Sequence, residues 1–253
     1  MSGYALAFTL VFVAITVFLS LRQKLGLEKE IVIGTMRAAV QLLLIGYVLH
    51  FVFDMNHPVF IAAIIFMMIG TASWNAGARA KQLPKIRSRI AAAILCTEVV
   101  TMSVLLGLGI IEATPQLIIP VSGIIIGSSM IVAGLFLNAM RRELESSRGE
   151  MEALLSLGAT PRQSIQAAIK RSVRSSMIPT IDGMKTIGLV QLPGMMTGMI
   201  AAGADPVEAV RYQILIAFVL TSAAAITAMI LGRISYSLWF TKEGLLRGME
   251  KQQ

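Results

Sequence analysis

Seven stretches are apolar almost throughout, at 3–21, 31–53, 58–78, 90–111, 117–140, 177–204 and 211–231. A hydrocarbon core takes about 20 helical residues to cross. The pattern therefore predicts an all-α polytopic membrane protein with about seven transmembrane helices. One long interval, 141–176, is patterned differently. Within it Leu154, Leu155, Leu157 and Ile165 give an apolar face too short to cross a bilayer. Gly158 breaks the first helix of this interval. Thr160 stands where an N-cap belongs and Pro161 where a first-turn proline belongs. The reading is helix, glycine break, capped helix: a docking surface for a soluble partner.

Composition agrees with the pattern. Of 253 residues 56% are hydrophobic and 14% charged, where a soluble domain carries about 25% charged. A net charge of +8 would suit nucleic acid, but its placement points elsewhere. Alternate loops hold three, five, seven and four Lys or Arg, 19 of the 22. By the positive-inside rule, the N-terminus lies outside, and the C-terminus and the 141–176 loop are cytoplasmic. No nucleic acid is expected as partner; membrane lipid is. The first apolar run lacks a basic leader and a clear cleavage site, so it reads as a span. With one cysteine, Cys96, and two histidines, a disulfide framework or a multi-histidine metal site within the chain is excluded.

Polar residues at membrane depth are functional candidates by default. Arg37 lies roughly 9 Å and Glu98 roughly 12 Å from the basic side, at 1.5 Å per residue. The matched depths suggest an Arg37–Glu98 pair, either locking two helices or serving proton or cation passage. Gln41 sits one turn beyond Arg37 on the same face, and Asn75 ends the third span. Asp182 and Lys185 are three apart and share a face, as an interfacial ion pair or a transmitter of loop movement. The sixth segment is long, and Pro193-Gly194, flanked by Gln191, interrupts it. Met195, Met196 and Met199 nearby are candidate soft-metal ligands, or packing. His50, Asp54 and His57 cluster between spans two and three, as a weak metal site or as ordinary loop residues.

Catalytic signatures are missing. Asp182-Gly183-Met184-Lys185-Thr186 lacks the adjacent Gly-Lys and upstream glycine of a nucleotide-binding loop. Neither HExxH nor GxSxG occurs. A membrane domain with a docking loop and no engine suits a transport subunit driven by a separate ATPase. The alternative is a self-sufficient secondary transporter or channel for a cation, using Glu98.

Glu152-Ala153, with Gly158 six after the glutamate, resembles the coupling-helix loop of ABC-transporter permeases. Over nearly the whole chain the sequence resembles the FetB-type iron-export permeases, related to plant aluminium-tolerance membrane proteins. The resemblance rests on Leu27-Glu28-Lys29-Glu30, Arg37 with Gln41, Trp74-Asn75-Ala76 and 156–161. Most specific are Ile178-Pro179-Thr180-Ile181-Asp182, 185–190 and 192–198, then Asp205-Pro206 and Tyr212-Gln213-Ile214. Where such proteins often show Gly-Asn-x-Met, this chain has Gly127-Ser128-Ser129-Met130. The resemblance implies one permease domain, 1–253, with coupling loop 141–176, in the cell inner (plasma) membrane. It implies ATPase coupling through Glu152, Ala153, Leu157, Gly158, Ala159, Thr160 and Pro161. It further implies export of metal ions such as iron, no catalytic residue or cofactor in this chain, ATP and Mg on a partner ABC ATPase, and two permeases with two ATPases.

Overall fold

A computed structural model describes residues 3–55, 57–80, 82–241 and 244–247. The chain divides into two compact units, Met1–His57 and Pro58–Gln253. The first holds α1, Gly3–Gln23, and α2, Glu28–Met55. Their link turns through Lys24 and Gly26, both at positive φ. The Ser20 hydroxyl closes it by donating to Glu28 Oε1 at 2.8 Å.

The second unit holds α3 (Pro58–Gly77), α4 (Ile86–Gly107), α5 (Pro115–Ser146), α6 (Arg148–Ser156), α7 (Pro161–Thr186), α8 (Gly194–Ala201) and α9 (Pro206–Ser235). The α5 helix is the hub, packing on α3, α4, α7 and α9. Phe136, Ile90, Ile94, Ile165 and Leu231 form the centre of the largest buried cluster. The basic ends of the helices gather together. Arg89 Nη1 donates to the Ile234 carbonyl at 2.6 Å, joining the start of α4 to the end of α9. Arg171 of α7 bonds Glu143 of α5 at 2.6 Å. That bond holds the Arg171 guanidinium above its ordinary pKa.

The short link between α3 and α4 is fixed by arginines that composition reads only as orientation markers. Arg87 stacks over Trp74, 3.6 Å from the ring centroid. Gly77 makes room for it, since a Cβ there would lie 2.6 Å from Arg87 Cγ. The Arg79 guanidinium similarly fits against Gly134, where a Cβ would lie 3.0 Å from it.

Among the described residues, five helices are long and apolar enough to cross a membrane: α2, α3, α4, α5 and α9. The described side chains of α1, Phe8–Gln23, are apolar over a shorter stretch. Two expectations change. The fifth predicted span does not end at Met140; its helix runs on to Ser146. The sixth predicted span is not one helix. Its first part continues α7, which passes through Pro179 without ending. The backbone then leaves the helix at Ile187, takes φ +84° at Gly188, and restarts only at Gly194. The break thus begins before Pro193-Gly194. An eight-residue α8 is only about 12 Å long, too short to span.

Candidate transport cavity and coupling turn

The turn joining α6 to α7 is built from its own sequence. Gly158 adopts φ +89°, which a side chain resists and glycine does not. It places Gly158 N–H on the Leu155 carbonyl and Ala159 N–H on the Leu154 carbonyl, both at 3.0 Å. These two bonds make a Schellman stop. Two residues on, Thr160 caps α7: its hydroxyl accepts the Gln163 N–H at 3.3 Å, while Gln163 Oε1 accepts the Thr160 N–H at 2.8 Å. Pro161 follows as the first helical residue. The expected stop, cap and proline are all present.

The tip is exposed. Leu157 is 85% accessible, and Glu152, Ala153, Gly158 and Thr160 are exposed, with Ala159 and Pro161 half-buried. Glu152 pairs with Arg148 at 2.8 Å along α6.

The other end of α7 borders a cavity of about 760 Å³, closed by α5, α9 and the 187–193 loop. Pro179, Thr180, Gly183 and Met184 face it from α7, Ser128 from α5, and Gln213 and Thr221 from α9. Gln191 and Pro193 line it from the loop. The loop is shaped by Gly188 N–H donating to the Gln191 carbonyl at 2.9 Å. Thr221 Oγ1 donates to Met184 Sδ at 3.3 Å. Gln213 is buried, and its Oε1 has no hydrogen-bond partner among the described residues. The lining offers amides, hydroxyls and a thioether, with no charged side chain among the described residues.

Sequence reasoning found Gln191 and Pro193 here but missed Thr180, Met184, Gln213 and Thr221 as a group. The signal was present: Gln213, Ala217 and Thr221 recur every four residues on an otherwise apolar helix. Ser128, the position where the sequence departs from Gly-Asn-x-Met, also faces the cavity.

A second polar cluster lies between α4, α5 and α9. Thr97 and Thr227 hydroxyls are 2.8 Å apart, and Thr227 donates to Ser129 at 2.9 Å. Glu98 beside it is 4% accessible. Both its oxygens, and the Ser122 hydroxyl, lack a hydrogen-bond partner among the described residues. Arg37 and Gln41 belong to the first unit and are exposed on α2; Asn75 is exposed on α3.

Asp182 and Lys185 do pair, at 2.9 Å, but their side chains are 60% and 67% accessible and neither lines the cavity. Such a surface pair contributes about 0–1 kcal/mol. Gly194 opens α8, and Met195, Met196 and Met199 are half-buried on it, outside the cavity lining. Met195 packs against the apolar cluster of α4, α5 and α9. Among the described residues no three His, Cys, Asp or Glu side chains gather to hold a metal ion. The Asp54 side chain lies outside the described residues.

The profile of UPF0014, an uncharacterised protein family, matches residues 4–240. The chain belongs to the UPF0014 family. It is similar to the UPF0014 membrane protein YjkA of Bacillus subtilis (strain 168), 46% identical over 99% of this chain and 100% of that one. It is 37% identical to the probable iron export permease protein FetB of Escherichia coli (strain K12), over 93% of this chain and 91% of that one. With the Arabidopsis thaliana protein ALUMINUM SENSITIVE 3 it shares 35% identity, over 93% and 86%. No solved structure matches. The resemblance to FetB-type and plant aluminium-related proteins is thereby met. Like its UPF0014 relatives this is a multi-pass membrane protein.

Proposed function

We propose that this UPF0014 protein is the permease subunit of an ABC transporter, exporting metal ions with energy from a separate ATPase. The observation carrying this reading is the continuity of α7. One unbroken helix of 26 residues, about 39 Å long, has a capped, exposed tip at one end and the cavity at the other. A push on the tip reaches the cavity without crossing a flexible joint. The Glu152–Pro161 turn docks on the cytoplasmic ATPase, and the 187–193 loop is where helix movement becomes a change in cavity shape. The N-terminus lies outside and the basic ends face the cytoplasm. ATP and Mg are bound and hydrolysed on the partner, this chain is no enzyme, and two copies work with two ATPases.

The name of FetB suggests iron as cargo. The cavity chemistry is compatible: neutral oxygen and sulfur donors hold a cation weakly enough to release it. The test is transport of labelled iron by vesicles holding this chain with an ABC ATPase encoded beside it. Transport should require ATP and the partner, and fall when Gly158 is replaced by Val. Metal movement at the same rate without any ATPase would overturn the reading. It would favour the second one, a secondary transporter, for which the supporting observation is Glu98, buried and without a hydrogen-bond partner among the described residues.

A further inference from the structure

A groove between α7 and the end of α9 has no part in the reading above. Its volume is about 460 Å³. Arg162, Lys170 and Arg174 reach it from α7 and Arg233 from α9. On α7 these cations and Gln166 recur at four-residue spacing, one stripe of a helix. Ile169, Val173 and Met229 make an apolar floor between the two helices. Gly232 lets the helices approach, with Ile169 Cγ2 2.9 Å from where its Cβ would stand.

Charge and position identify the occupant. All four cations are exposed, and none makes an ion pair among the described residues. No carboxylate lines the groove. Arg171, next along α7 but turned away, is by contrast paired with Glu143. Arg233 follows directly on the apolar run of α9 that ends at buried Leu231. The groove therefore lies where the membrane-crossing surface of α9 gives way to charge, the depth of lipid headgroups. We propose that it binds an anionic phospholipid, with the phosphate held by cations of this stripe and an acyl chain along Ile169, Val173 and Met229. A soluble anion gains nothing from the apolar floor. A zwitterionic lipid brings its own cation into an already positive site. Basic pockets between membrane helices on one side of a bilayer are suited to this ligand class.

The site does not depend on the transport reading, and its test needs no ATPase. The full chain in detergent is titrated with phosphatidylglycerol, phosphatidylcholine or inorganic phosphate, following lipid retention by native mass spectrometry and Tm. Phosphatidylglycerol is expected to be retained and to raise Tm; the other two are not. Each cation near an anionic headgroup contributes a factor of about five in affinity. Lys170→Gln with Arg174→Gln should thus weaken phosphatidylglycerol binding about 25-fold. Arg142→Gln, an exposed cation away from the groove, should leave it unchanged, and Met229→Gln should weaken it through the floor. Unchanged affinity in the double variant would overturn the proposal. So would equal retention of phosphatidylcholine, which means an apolar groove only, or an equal Tm rise with inorganic phosphate, which means a small-anion site.

Discussion

Replacing Gly158 by Val tests whether the α6–α7 turn transmits movement through its geometry. A Cβ at Gly158 meets nothing within 4 Å, so the added Cβ itself creates no clash. Its whole effect is backbone strain at φ +89°. An L-residue in the left-handed region costs roughly 1–2 kcal/mol, and branching at Cβ raises this further. That energy falls on a weak element. The α6 helix has nine residues and buries only Met151, and isolated helices this short are marginal. The strain should therefore unwind the end of α6 and leave the bundle intact. A loss of 1–2 kcal/mol lowers the equilibrium constant for the ordered turn roughly 5- to 30-fold. Partner ATPase stimulation should fall by up to that factor, while Tm changes little and hydrogen exchange in α6 rises. Asn tolerates the left-handed region, so Gly158→Asn should retain most activity. Val and Asn variants of equal activity, whether both full or both null, would refute the argument.

Other expectations concern the bundle and cavity. Glu98→Gln replaces a buried carboxyl with no hydrogen-bond partner among the described residues, where an unpaired charge would cost several kcal/mol; Tm should hold or rise while transport falls, and a lower Tm with full transport would make Glu98 a lock. Gln213→Leu removes a buried carbonyl without a partner among the described residues, a cost of about 1–3 kcal/mol; Tm should rise and cargo KM increase in vesicle transport. Gly232→Ala drives a methyl against Ile169, an overpacking worth about 1–3 kcal/mol, and should lower Tm in a thermal melt.

The turn was legible because its signals are local. Gly158, Thr160 and Pro161 dictate their own backbone through φ, a hydroxyl cap and a missing N–H. The spans of α2, α3, α4, α5 and α9 were legible for the same reason, since each is a long apolar run. The sixth segment misled because hydropathy reports burial or lipid contact but not backbone path. Residues 187–193 are apolar enough to read as helix. Yet Gly188 turns the chain, and the extended Ile187 precedes it. Pro179 is accommodated inside α7. The cavity was less legible, since its donors come from three helices and a loop distant in sequence. Beyond Gln191 and Pro193, only the four-residue recurrence of Gln213, Ala217 and Thr221 hinted at it.

The basic residues divide by what answers their charge. Arg79, Arg87 and Arg89 are consumed in building one end of the bundle, against Gly134, Trp74 and the Ile234 carbonyl. Arg171 is answered by Glu143. Arg162, Lys170, Arg174 and Arg233 are left unanswered among the described residues, and all four meet along one groove. Three of them stand on α7, the helix that also begins at the exposed turn and lines the cavity. A lipid phosphate held there would bear on α7 midway between its two ends. Anchoring α7 to the leaflet would resist tilting in proportion to how well the phosphate is held. In the proposed transporter, these basic residues would then also set the stiffness against which the α6–α7 turn works.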